Sequence, residues 1–195
     1  MDPEVASQIL NELLHTEVTK KVHRDVYPAI SPSRPELSQA GRVVLVPGGG
    51  SGVGLSIARS FVRASASTVI ILGRRAEVLA STAADLEAEA KAASTDTKII
   101  ARVCDVVDLA QVETFWKGLK KEGVIVDVFV NNVAKFTEPK PLLELGADEV
   151  WSQMEVSAKS PLYFVEKFYK QGGEKQKASF PFSFPTAAQF LTAWY

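Results

Sequence analysis

The chain has 195 residues, 46% of them apolar, with 22 basic against 23 acidic side chains and a formal net charge of −1. That length fits one domain with ample material for a buried core, and the near-neutral balance gives no field to attract nucleic acid or an anionic membrane. The acidic N-terminus has no long apolar run, so neither a secretory signal nor a membrane anchor is visible.

Residues 1 to 20 are expected to form a helix, with Pro3 near its start and Val5, Ile9, Leu10, Leu13 and Leu14 on one stripe. Pro28, Pro32 and Pro35 then mark an extended arm. His15 and His23 have no Cys or carboxylate pattern around them, and solvated or capping roles suit them better than metal ligation. The expected organisation is an N-terminal helix and Pro-rich arm over 1–40, a nucleotide-binding domain over 41–179 and an irregular aromatic tail over 180–195.

Arg42-Val43-Val44-Leu45-Val46 has the composition of a buried strand, and Leu55 to Val62 places apolar side chains at helical spacing. Between them runs Pro47-Gly48-Gly49-Gly50-Ser51-Gly52-Val53-Gly54. Glycines at a strand-to-helix junction let the backbone turn tightly and come close to a ligand. The helix N-terminus beyond offers free N–H groups and a positive dipole end to a pyrophosphate. An ordinary glycine-rich turn is the plainer alternative, but the flanking strand and helix favour a dinucleotide-binding turn.

From Arg42 onward strands are expected at about 42–47, 68–73, 97–104 and 124–131, and helices at 52–64, 76–93, 108–122 and 146–170. Such alternation implies right-handed crossovers and a parallel sheet with helices on both faces, an α/β doubly wound fold. The second strand ends in Gly73-Arg74-Arg75. In NAD-binding domains an acidic residue about 20 positions past the glycine turn holds the ribose 2′-hydroxyl, whereas an Arg there accommodates a 2′-phosphate. Gly73 offers no carboxylate and Arg74 follows at once, so NADP is favoured over NAD; a solvated strand end is the plainer alternative for both arginines. Cys104, the one cysteine, excludes an intrachain disulfide framework and suits a reducing compartment, so cytosol is expected; its apolar strand makes it a packed thiol.

The spacing of Gly48, Gly52 and Gly54, G-x-x-x-G-x-G, resembles that of the short-chain dehydrogenase/reductase family, with Pro47 standing where the family has a Thr that braces the turn. Asn131-Asn132-Val133-Ala134, after a strand led by Asp127, is similar to that family's N-N-A-G segment. The likeness spans about 41 to 180. It implies a Rossmann-type sheet whose cofactor is met by Gly48, Ser51, Gly52, Val53, Gly54 and Arg74, by Asp105 and Val106 at the adenine, and by Asn131 and Asn132 along the wall. Asp108, directly before the next helix, fits a capping role better than Asp105 does.

The resemblance also implies catalysis by an Asn–Ser–Tyr–Lys tetrad, because hydride arriving at a carbonyl carbon leaves an alkoxide that needs a proton. At the Asn position this chain has Ser157, and Ser160 stands at the accompanying glycine. The catalytic Ser would end a strand beginning near Ala178-Ser179-Phe180, but Pro181 and Pro185 argue against a central strand, and Thr186 is the nearest hydroxyl. The Tyr-x-x-x-Lys pair is read as absent: Tyr163 and Tyr169 belong to a packing helix and Tyr195 has no lysine after it. A chain truncated at its C-terminus, lacking the last strands of the fold, is therefore expected, with the aromatic tail exposed unless something covers it. Three functions stay open: NADP-dependent hydride transfer to or from a small carbonyl or alcohol substrate, with specialised metabolism as a setting; a catalytically inactive cofactor-binding protein or partner subunit; and a non-redox cyclase or isomerase. A homo-oligomer joined through the helix at 146–170 would follow from the family's habit.

Overall fold

The computed structural model describes residues 8, 23, 25–137 and 140–172. The expected helix over residues 1–20, the aromatic tail and the region around Thr186 lie outside the described residues.

Four strands, β1 (Val43–Pro47), β2 (Thr68–Gly73), β3 (Lys98–Val103) and β4 (Val128–Phe129), form one parallel sheet in the order β3-β2-β1-β4. Helices α1 (Gly52–Arg63), α2 (Ala76–Ala92) and α3 (Leu109–Lys121) follow the first three strands. After β4 come α4 (Leu142–Leu145), α5 (Ala147–Met154), a π turn (Glu155–Lys159) and α6 (Ser160–Lys170). The expected doubly wound parallel sheet is what the chain forms.

Period-2 alternation divides the core into two layers. Val44, Val46, Val69, Ile71, Val128 and Val130 point to the face covered by Ala58 and Val62 of α1 and Leu79 and Leu86 of α2. Leu45, Ile70, Leu72, Ile100 and Phe129 point to the other face, against Phe115, Trp116 and Leu119 of α3 and Phe164 and Phe168 of α6. Phe164 lies at the centre of this second layer, stacked on Phe129 with ring centroids 5.6 Å apart and edge-on to Trp116 at 6.2 Å.

Two expectations need correcting. The strand expected over 124–131 pairs only at Val128–Phe129, with flanking rungs from Asp127 N–H to the Val43 carbonyl (2.8 Å) and from Val130 N–H to the Leu45 carbonyl (2.9 Å). Upstream, the Gln171 carboxamide brackets Val126, accepting from its N–H at 3.0 Å and donating to its carbonyl at 2.7 Å. The helix expected over 146–170 is broken by the π turn, in which the Ser160 N–H reaches back to the Glu155 carbonyl. Pro161 supplies the cause: it has no N–H to give to the preceding turn, and widening that turn relieves the clash of its ring.

Candidate dinucleotide site at the glycine turn

The C-terminal ends of β1 and β2 and the N-terminal end of α1 meet at the glycine turn. Gly48 adopts φ +71°, a left-handed conformation that side chains disfavour, and its N–H is held by the Leu72 carbonyl at 2.8 Å. Gly54 has a different requirement. A Cβ on it would lie 2.2 Å from the Gly48 carbonyl oxygen and 2.6 Å from Asn132 Nδ2. Thr82 of α2 fixes the outer limb of the turn by donating to the Gly50 carbonyl at 2.9 Å.

Ser51 precedes α1 in extended conformation, and its hydroxyl makes no capping hydrogen bond. Gly52, Val53 and Gly54 are the first residues of the helix, so their N–H groups have no intrahelical acceptor. Space is open beside Gly52, where an added Cβ would meet nothing within 4 Å, and Val53 is 72% exposed. A shallow cradle of backbone donors at a positive dipole end results, and an anionic pyrophosphate fits it.

Arg74 and Arg75 stand exposed at the end of β2, and among the described residues neither enters an ion pair. Asp105 is half-buried; its Oδ1 accepts the Val107 N–H at 3.2 Å, which shapes the loop after β3. The Val106 side chain is packed in the core, leaving only its backbone for a ligand. Asp108 caps α3, accepting from Ala110 N–H (2.9 Å) and Gln111 N–H (3.1 Å). Cys104 is buried, as a packed thiol should be, and desolvation followed by the charges of Asp105 and Asp108 pushes its pKa up to about 11.

Asn131 and Asn132 follow β4 beside the turn, half-buried, and Asn132 Nδ2 donates to the Pro47 carbonyl at 3.1 Å. Ser157, inside the π turn, accepts the Lys135 N–H at 3.2 Å. Lys135 Nζ in turn reaches Glu149 Oε2 (3.0 Å) and Ser152 Oγ (2.9 Å), so α5 and the π turn together hold the loop that follows the two asparagines.

The absence of a Tyr-x-x-x-Lys pair needs amending as a matter of spacing, because Tyr163 and Lys167 on α6 stand four apart. The helix runs the wrong way for them to serve the turn. It starts beside Lys135, at the end of the sheet where the glycines lie, and finishes with Gln171 at Val126, before β4. Lys167, one turn before Gln171, is bonded to Glu113 of α3.

A parallel sheet ordered β3-β2-β1-β4, with a glycine turn leading from its first strand into a helix N-terminus, defines a Rossmann-type dinucleotide-binding domain. Residues 42–179 match the family of short chain dehydrogenases, and the chain belongs to that family of oxidoreductases, which bind nicotinamide cofactors. A short chain dehydrogenase of Monascus ruber, pigC, is 31% identical over 153 residues, covering 78% of this chain and 49% of the relative. The chain thus spans about half the length of the curated relatives it matches. Among solved structures, a short-chain type dehydrogenase/reductase from Mycobacterium ulcerans has a TM-score of 0.64 at 22% identity, over 74% of this chain and 51% of its own. The Pseudomonas aeruginosa RhlG/NADP active-site complex has a TM-score of 0.57 at 26% identity, over 71% and 50%.

Proposed function

We propose that this chain binds NADP at the glycine turn and that the protein transfers hydride to or from a small carbonyl or alcohol substrate. The observation that carries the reading is the contact between Gly54 and Gly48, which keeps the turn low enough to leave the α1 donors open. Gly48, Ser51, Gly52, Val53 and Gly54 would hold the pyrophosphate, Asp105 and the Val106 backbone the adenine, and Asn131 the wall beside it. Exposed Arg74, with no carboxylate in its place, favours a 2′-phosphate. The RhlG complex with NADP lends the same support from a related fold. Bound there, the nicotinamide would supply the hydride.

Binding without turnover is a second reading, favoured by the direction of α6, which carries Tyr163 and Lys167 away from the turn. Self-association would suit either: Trp151 (64% exposed), Leu162 (68%) and Tyr169 (77%) leave apolar surface along the α5–α6 segment. An aqueous, reducing compartment fits the single buried thiol, and among the described residues no helix is long and apolar enough to cross a membrane.

Titration of the chain and of Arg74→Asp with NADPH and NADH tests the cofactor. NADPH affinity should fall by about tenfold or more in the variant, the loss of a charge-assisted pair, with NADH little changed. Equal losses would remove the NADP assignment. NADPH oxidation against a panel of aldehydes and ketones then separates turnover from binding alone.

A further inference from the structure

A hydroxyl on a helix can bond back to the carbonyl four residues earlier, and in this chain Ser56, Ser60 and Thr114 do so, to Gly52, Ser56 and Ala110. Thr82 does not. It is the polar member of the buried stripe of α2, alongside Leu79, Leu86 and Ala90, and is 5% exposed. Its hydroxyl leaves its own helix and donates to the Gly50 carbonyl at 2.9 Å. A β-branched residue forms helix less readily than the neighbouring Ala80, Ala83 and Ala84, so helix propensity gives no reason for a threonine here.

That bond fixes a direction as well as a distance. A trans peptide is planar, with its C=O and N–H pointing opposite ways. Because the Gly50 carbonyl is turned toward α2, the Ser51 N–H of the same peptide points away from that helix. Among the described residues no acceptor meets it. It stands free just before the open N–H groups of Gly52, Val53 and Gly54. Leu79, one helical turn ahead of Thr82, packs on the same limb: a Cβ on Gly50 would lie 3.3 Å from its Cδ2, and one on Gly73 3.4 Å.

We propose that Thr82 is a positioning residue of the dinucleotide site, whose hydroxyl pins the Gly50–Ser51 peptide so that the Ser51 N–H is presented to the pyrophosphate. Thr82 lies beneath the turn and does not itself touch the cofactor. The inference rests on the function proposed above and adds a specific dependence to it.

Two variants of the full chain test this. Thr82→Val keeps the shape and loses the donor, whereas Thr82→Ser keeps the hydroxyl and loses a methyl group. NADPH affinity should fall by about fivefold in Thr82→Val, the size of one neutral hydrogen bond, and stay near that of the unaltered chain in Thr82→Ser. The thermal midpoint should fall in Thr82→Ser all the same, because packing is lost there, so affinity and stability part company. The Ser51 amide resonance gives the direct signature. Inorganic pyrophosphate should shift it in the unaltered chain and in Thr82→Ser, and much less in Thr82→Val. A Thr82→Val chain that binds NADPH like the unaltered one would overturn the proposal, as would a Thr82→Ser chain as weak as Thr82→Val. If the unaltered chain binds no NADPH, the proposed function fails separately. The pyrophosphate titration then decides the role of Thr82, and a Ser51 amide that does not respond, or responds equally in Thr82→Val, would reject it.

Discussion

Gly54 sits so close to Gly48 that the hydrogen on its α-carbon occupies the only room there is: a methyl group would stand 2.2 Å from the Gly48 carbonyl oxygen. The partner is backbone, held in place by Gly48 N–H bonding to Leu72 and by the Asn132 carboxamide. Neither side can yield by changing a rotamer. The first residue of the turn and the first turn of α1 are thus a single rigid contact, and the N-terminus of the helix stays open because of it.

Stability should depend heavily on Phe164, fully buried and stacked on Phe129. Replacing it with Ala is expected to cost about 3–5 kcal/mol, while Phe164→Leu should lose less because more of the volume remains filled. Urea unfolding reads this as a lower midpoint with an unchanged slope. A shift near zero for Phe164→Ala would mean that α6 is not packed on the sheet as described.

Alkaline stability should carry the mark of Cys104. Its thiol has an ordinary value of 9.0 and is raised to about 11 in the folded chain, so above 9.0 the unfolded chain loses the proton first. The contribution is complete below 9.0 and disappears as pH rises through about 11. Thermal midpoints of Cys104→Ala should therefore fall less steeply across that window than those of the unaltered chain. Identical slopes would contradict the burial of the thiol.

Asp108 works at the opposite end of the scale. The Gln111 backbone N–H and then its side-chain amide, with Ala110 N–H as a lesser cause, hold its carboxyl below the ordinary 3.8. The cap is complete above 3.8 and weakens as pH falls through the lower folded value. Asp108→Asn keeps a capping oxygen without the titration and should flatten the acid limb of a thermal-midpoint profile, whereas Asp108→Ala should lower the midpoint at neutral pH as well. An acid limb unchanged in Asp108→Asn would refute this.

The strands and helices of the first three βα units were legible in the sequence to within two residues, because each is long, periodic and bounded by turn residues or a cap such as Asp108. The glycine turn was legible too, since its chemistry is local. What escaped was the work of side chains across the sheet. Asp127 holding Val43, Asn132 holding Pro47 and Gln171 holding Val126 join residues 84, 85 and 45 positions apart, and no local pattern announces them. The break in the long helix did have a local signal in Pro161, outweighed by the apolar periodicity on either side. The spacing of Tyr163 and Lys167 shows the converse: a motif present in the letters, placed by the helix where the turn cannot use it.

The central claim is the dinucleotide site at the glycine turn, and titration of the chain and its Gly54→Ala variant with NADPH, followed by nicotinamide fluorescence, tests it most directly. The account predicts saturable binding by the chain, competed by NADP⁺. It predicts a loss of at least about tenfold in the variant, because the added methyl must push the turn and α1 apart. No saturable binding by the unaltered chain, or equal binding by Gly54→Ala, would contradict it.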